Sequence, residues 1–162
     1  MNTSTVLNFV SSWQLVLARW APVPLRLMVG YGFMEHGCAK LARGSDSFAH
    51  ILQALGLPLP EVLAWATILI ELLGGAVVLF GVGVPLASVP MAVVLLVAIF
   101  TVHLPYGFSS IKLQAVTAGA AHFGQPSYEC DLLYLACLSA LVMWGAGPLT
   151  VGAVFRRTRS GS

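Results

Sequence analysis

The sequence predicts an all-α integral membrane protein: an antiparallel four-transmembrane-helix bundle with an N-terminal interfacial helix and a short helix in the first outer loop. Two observations carry this reading. Hydrophobic residues make up 58% of the chain and charged residues 9%, and the mean hydropathy is +0.88. The few charges sit at the ends of apolar runs, with Arg26, Glu35, His36, Glu71 and His103 inside or at the edge of them. Helices that are apolar on every side need lipid or a very large core, and 162 residues cannot supply that core. At about 20 apolar residues per span, the chain has room for four.

Residues 5–20 place Val6, Phe9, Val10, Trp13, Val16, Leu17 and Trp20 at helical spacing, interrupted by Ser11, Ser12, Gln14 and Arg19. Two Trp and an Arg suit a helix lying in the membrane interface. The start has no basic region and no small-residue cleavage site, so no removable signal is expected. Pro22 and Pro24 then open a span over 22–41, because proline fits the first turn of a helix. It is the most polar span, with Arg26, Glu35, His36 and Lys40. In the connection that follows, Phe48, Ile51, Leu52 and Leu55 repeat at i, i+3, i+4 and i+7. This predicts a short surface helix, started by Ser45 or Asp46 and ended by Gly56.

The second span, 61–83, opens with Glu61 and carries Glu71 near its middle. Gly74 and Gly75 follow and favour close helix contact. The uncharged turn GVGVP leads to the third span, 85–104, which is apolar until Thr101 and His103. The stretch between it and the fourth span, PYGFSSIKLQAVTAGAAHFGQPS, is too polar and Gly-rich to cross lipid and is expected to cap the bundle. The fourth span, 128–148, opens with Tyr128, Glu129, Cys130 and Asp131. The chain thus divides into an N-terminal interfacial segment, 1–21, a transmembrane domain, 22–150, and a basic tail, 151–162.

Arg156, Arg157 and Arg159 in the tail place the C-terminus in the cytoplasm by the positive-inside rule, and four spans put the N-terminus there too. The outer side then carries Lys40, Arg43 and Lys112. Net charge is +2 with no basic patch, and phosphate binding needs clustered Lys and Arg, so no nucleic-acid partner is expected. The expected surroundings are the lipid bilayer of a bacterial inner (plasma) membrane, with a protein partner or a second copy.

In an antiparallel arrangement Glu35, His36 and Lys40, Glu61, His103, Tyr128, Glu129 and Asp131 converge at the outer ends of the spans. Arg26 and Glu71 lie deeper, about 9 and 18 Å from the inner edge. The stem of Arg26 can bridge that gap, so an Arg26–Glu71 ion pair is expected, either fixing helix register or leaving Glu71 to titrate in function. Glu35 and His36 point about 100° apart, so His36 is expected to face the bundle and Glu35 Lys112 or solvent. His50 and His122 lie in connections and read as solvated. Of three cysteines, Cys38 and Cys130 fall at outer span ends and could form a disulfide; alternatively all are separate thiols acting as small apolar residues. His36, His103, Glu61 and Glu129 are acceptable ligands, but no HxxxH, ExxH or CxxC spacing appears and no metal is expected.

The runs RLMVGYGFMEHGCAKL and FAHILQALGLPLPEVLAWATILIELLGGAVVLFG, the apolar run ending in TVHLPYGF, and YECDLLYLACLSALVMWGAG resemble the DoxX family of small bacterial membrane proteins. The similarity covers roughly 22–150. It implies four transmembrane helices and links to quinol oxidation, thiosulfate:quinone oxidoreduction and oxidative-stress resistance. It further implies membrane complexes with partners such as a superoxide dismutase and a sulfurtransferase.

Three functions follow as expectations. The first is a quinone-linked oxidoreductase subunit. Its catalytic residues would be His36, Glu71 and His103, and Arg26, Glu35, Lys40 and Glu129 would bind the cofactor. The His and Glu groups exchange protons. No haem, flavin or iron–sulfur motif is present, so the electron donor is expected to be another protein or a diffusible reductant. The second is a non-enzymatic membrane scaffold for redox or detoxifying enzymes. The third is a small-solute pathway, suggested by the intramembrane charges.

Overall fold

The computed structural model of the chain describes residues 13–151. The proposed tail beyond 151 and the first residues of the interfacial segment lie outside the described residues. Residues 13–20 are helical and exposed. A turn at Ala21, whose N–H bonds to the Leu17 carbonyl at 3.0 Å, leads into α1 (Pro22–Arg43).

α1 starts with proline in its first turn and ends at Gly44, which adopts φ 93° and bonds back to the Leu41 carbonyl. Pro22, Arg26, Val29, Gly30, Phe33 and Gly37 are its buried residues. They form one stripe at helical spacing, while Leu27, Met28 and Tyr31 point outward. The short helix α2 (Ser45–Ala54) lies where the sequence places it. Its buried face is Ala49 and Leu52, packed on Ala64, while Ile51 and Leu55 are exposed. Neither Ser45 nor Asp46 caps it through a side chain; the two side chains meet each other at 3.5 Å instead. Its C-terminal expectation holds. Gly56 adopts φ 75° and bonds to the Gln53 carbonyl, while Leu57 bonds to that of Leu52, the Schellman pattern.

α3 (Pro60–Phe80) and α4 (Val84–Tyr106) are, among the described residues, the helices long and apolar enough to cross a membrane, with mean hydropathies of 2.2 and 2.3. The turn between them has Gly81 and Gly83 at φ 68° and 57°. Each helix contains one π-helical turn, Ile70–Gly74 in α3 and Ile99–His103 in α4. α5 (Glu129–Trp144) is shorter than the expected span, because Gly145 (φ 81°) ends it and the chain turns back.

The chain is not all-α. β1 (Leu113–Thr117) and β2 (Ala120–Phe123) form an antiparallel hairpin. The β-branched pair Val116–Thr117 precedes a two-residue turn in which Gly119 takes φ 98°, a conformation that glycine adopts at little steric cost. Every residue of both strands is exposed. The hairpin therefore projects from the helices, and its strands bury nothing as a cap would. Its base is held by hydrogen bonds from the Gly124 N–H to the Lys112 carbonyl at 2.8 Å and from Ser127 Oγ to the Tyr106 carbonyl at 3.1 Å.

The core is shared by four helices: Val29 and Phe33, Val78, Val84 with Met91 and Leu95, and Leu138 with Leu141. Glycines set the register of α1 against α3. A Cβ on Gly30 would lie 2.7 Å from the Gly75 carbonyl oxygen, and one on Gly37 would lie 2.9 Å from Leu72 Cγ. Ascending positions on α1 thus meet descending positions on α3, so the two are antiparallel. The close contact expected of Gly75 is with Gly30, while Gly74 lies against Met91 of α4. Gly30→Ala is expected to cost about 1–3 kcal/mol, because backbone on the facing helix cannot yield as a side chain can. A lowered thermal midpoint in detergent checks this.

Candidate functional site

Arg26 is buried near the α3–α4 turn. Its Nη1 donates to the Ala146 carbonyl at 3.0 Å and its Nη2 to the Leu149 carbonyl at 2.8 Å. The expected Arg26–Glu71 pair does not form. In the antiparallel register Arg26 is level with Gly81, where an added Cβ would meet Nη1 at 2.7 Å. Glu71 is ten residues away along α3, about 15 Å at helical rise. Arg26 instead latches the segment after α5 onto α1. Arg26→Met keeps an apolar stem but releases both carbonyls. The expected result is a loss of about 2–3 kcal/mol and faster amide hydrogen exchange over residues 145–151.

Glu71 pairs with Lys40, whose Nζ lies 2.5 Å from Oε1. The Glu71 side chain is 5% exposed and that of Lys40 25%. Gly37, one turn before Lys40, lets α1 approach closely enough that a Cβ there would sit 3.2 Å from Glu71 Cβ. The Lys40 ammonium also lies 5.1 Å from the centroid of the Phe48 ring of α2, so that helix covers the pair. Glu71 Oε2 is buried and has no hydrogen-bond partner. A buried carboxylate oxygen without a donor carries a desolvation cost, and here it leaves an acceptor to spare.

His103 Nδ1 lies 2.5 Å from Asp131 Oδ2. This joins the end of α4 to the first turn of α5 and fixes the imidazole by one nitrogen. Glu71 and His103 share a further feature: each lies within the π-helical turn of its helix. π-turns interrupt the α-helical hydrogen-bond ladder and occur frequently at functional sites.

The other candidates separate. Glu129 is half-buried, and its Oε2 accepts the Ser110 N–H at 2.9 Å, which ties the hairpin's base to α5. Glu35 is exposed on α1, and Lys112 lies 5.9 Å from the Tyr106 ring instead. His36 is exposed as a residue, yet its ring is 6.5 Å from that of Tyr134. His122 meets Thr117 Oγ1 across the hairpin at 3.1 Å. Cys38, Cys130 and Cys137 are free thiols, so the Cys38–Cys130 disulfide is not formed. Among the described residues no three His, Cys, Asp or Glu side chains converge as a metal site.

Two further residues belong to this region: Asp131, which the sequence places among the polar residues at the outer span ends without giving it a role, and Tyr134, which it does not single out. Asp131 is the partner of His103; its position in the first turn of α5, level with the end of α4, was the available signal. Tyr134, one turn further along α5, packs edge-on against Phe33 at 5.6 Å. Its hydroxyl rests where a Gly32 side chain would be, 1.9 Å from an ideal Cβ. No sequence signal marked it, since a tyrosine in an apolar helix reads as core.

The DoxX family model matches residues 21–104, a stretch that carries α1 to α4 with Arg26, Lys40, Glu71 and His103. The chain belongs to the DoxX family. This DoxX protein is also 34% identical over 139 residues to a Bacillus subtilis (strain 168) protein named "Putative oxidoreductase CatD", covering 85% of this chain and 90% of that one. No solved structure matches it. Family membership and the two long apolar helices make it a membrane protein, and its exposed Leu86, Val89, Val93 and Phe100 on α4 suit contact with lipid.

Proposed function

We propose that this DoxX protein is a quinone-linked oxidoreductase subunit of the bacterial inner membrane. In this reading α1, α3, α4 and α5 cross the lipid as a four-helix bundle, and the 13–20 helix lies in the interface. Both termini are cytoplasmic, and the hairpin is on the outer side. The observation that carries it is the Lys40–Glu71 pair: a half-buried ammonium on a carboxylate that is buried in a π-helical turn, with one carboxylate oxygen left without a donor. A buried charge within a membrane helix marks a functional site by default. The name of the Bacillus subtilis relative points to the same class.

The residues present fit a quinone head group. A quinone supplies two-electron, two-proton redox chemistry. Lys40 would donate to a carbonyl oxygen, Glu71 Oε2 would accept a proton or a hydrogen bond, and His36 stands one turn from Lys40 on α1. The His103–Asp131 pair, with the other ring nitrogen of His103 available, would pass protons toward the outer face. Arg26, held by backbone carbonyls, and Glu129, held by the loop, act in stability and not in binding. Electrons come from a partner protein or a diffusible reductant.

Titration of the purified protein in nanodiscs with a short-tailed quinone tests this. Saturable binding that disappears in Glu71→Gln supports the reading. Absence of binding by the natural protein overturns it. The exposed hairpin favours a second reading, a scaffold for redox or detoxifying enzymes. Co-purification of one partner that is lost on shortening the hairpin, with no quinone bound, would establish that reading instead.

A further inference from the structure

The structure assigns Tyr134 a direct role at this site: its hydroxyl is a ligand-contacting hydrogen-bond donor, and Gly32 is the position kept open to hold it. The inference rests on the quinone reading of the Lys40–Glu71 region and names a recognition residue for it.

Four facts converge. The Tyr134 hydroxyl lies against the backbone of α1 at Gly32, where any side chain would displace it. Among the described residues this hydroxyl makes no hydrogen bond; the contacts of Tyr134 are ring contacts with Phe33 and His36. A tyrosine set in an apolar environment ordinarily finds a partner for its O–H, and phenylalanine would make the same ring contacts without that requirement. Gly32 and His36 are one turn apart on α1 and so share a face, which turns His36 and Tyr134 toward the same space. Gly37, next in sequence to His36, is where α1 meets Glu71, whose Oε2 is also without a partner.

A donor hydroxyl and an unused carboxylate acceptor therefore flank the outer half of α1, contributed by the two helices that pack on it. An apolar interior with unspent polar groups on either side calls for a ligand with an apolar body and polar atoms at its edges. A quinone carbonyl oxygen would accept from Tyr134. Asp131 is one turn before Tyr134 on α5 and pairs with His103, so the same helix carries both the hydroxyl and the partner of that histidine.

The test is binding and infrared spectroscopy on the full chain in nanodiscs, with a short-tailed benzoquinone and a short-tailed naphthoquinone as probes. Tyr134→Phe is expected to retain the natural thermal midpoint, because ring packing is conserved. It is expected to bind the preferred quinone about 5- to 10-fold more weakly, the loss of one neutral hydrogen bond. The carbonyl stretch of the bound quinone should move to higher frequency. Gly32→Ala, which pushes the hydroxyl aside, is expected to weaken binding as well. Natural affinity and an unshifted carbonyl band in Tyr134→Phe would overturn the assignment while leaving the site reading intact, provided that Glu71→Gln still abolishes binding. If the natural protein binds neither quinone, both the assignment and the reading beneath it fall.

Discussion

Lys40→Met is expected to destabilise the protein by about 3 kcal/mol, toward the low end for a buried pair broken from one side because the lysine keeps some exposure. The cost is not the loss of the attraction as such. It is the carboxylate of Glu71, 5% exposed, left in an apolar interior with no cation. The compensating change follows: Lys40→Met combined with Glu71→Gln removes both charges and is expected to recover most of the loss. Thermal or denaturant unfolding of the two variants in detergent measures both values. A single variant as stable as the natural protein would show that the pair does not hold α1 to α3. The double variant, folded but without the ammonium and the carboxylate, should bind no quinone, which separates the role of the pair in folding from its role at the site.

Asp131→Asn is the second large effect. The carboxylate holds His103 by Nδ1, and in the proposed function the other ring nitrogen would exchange protons. Asparagine is close in shape but neutral, so it keeps the contact with the ring without the carboxylate charge. Quinol-dependent reduction of an artificial acceptor in proteoliposomes is expected to fall about 100-fold, the usual scale of one general acid–base group, with quinone affinity unchanged. Turnover at the natural rate would make the pair a structural tie between α4 and α5.

Much of this architecture was legible because lipid imposes strong rules on composition. The helix start at Pro22, those within a residue of the expected 61 and 85, the Gly56 termination of α2 and the close approach at Gly75 all follow from residue type and local spacing. The hairpin was missed because its signal is short: Val116 and Thr117 beside an Ala–Gly turn, inside a segment whose polarity argued only against spanning. The partner of Glu71 was missed for a different reason. Depth in the membrane placed Arg26 within reach, but register is set by which glycines meet. Gly30 against Gly75 puts Lys40, not Arg26, beside the carboxylate. The two π-turns left no trace in the sequence, since an inserted residue in a helix changes backbone geometry without changing apolar pattern. The candidate residues split accordingly. Glu71, Lys40 and His103 are brought into pairs, His36 stands by Tyr134, and Arg26, Glu35 and Glu129 lie elsewhere.

The Arg26 latch also bears on biogenesis. Chains emerge from the ribosome N-terminus first. Lys40 can find Glu71 as soon as α3 has been made, so the first long helical pair can close early. Arg26 has no such early partner. Its two acceptors, the carbonyls of Ala146 and Leu149, are among the last described residues to be synthesised. Until they arrive, the guanidinium must stay hydrated or associated with lipid headgroups, which keeps that end of α1 from settling. Synthesis of residues 146–149 thus supplies the acceptors that let this end of α1 settle, and a protein stopped short of residue 145 would leave the guanidinium without them.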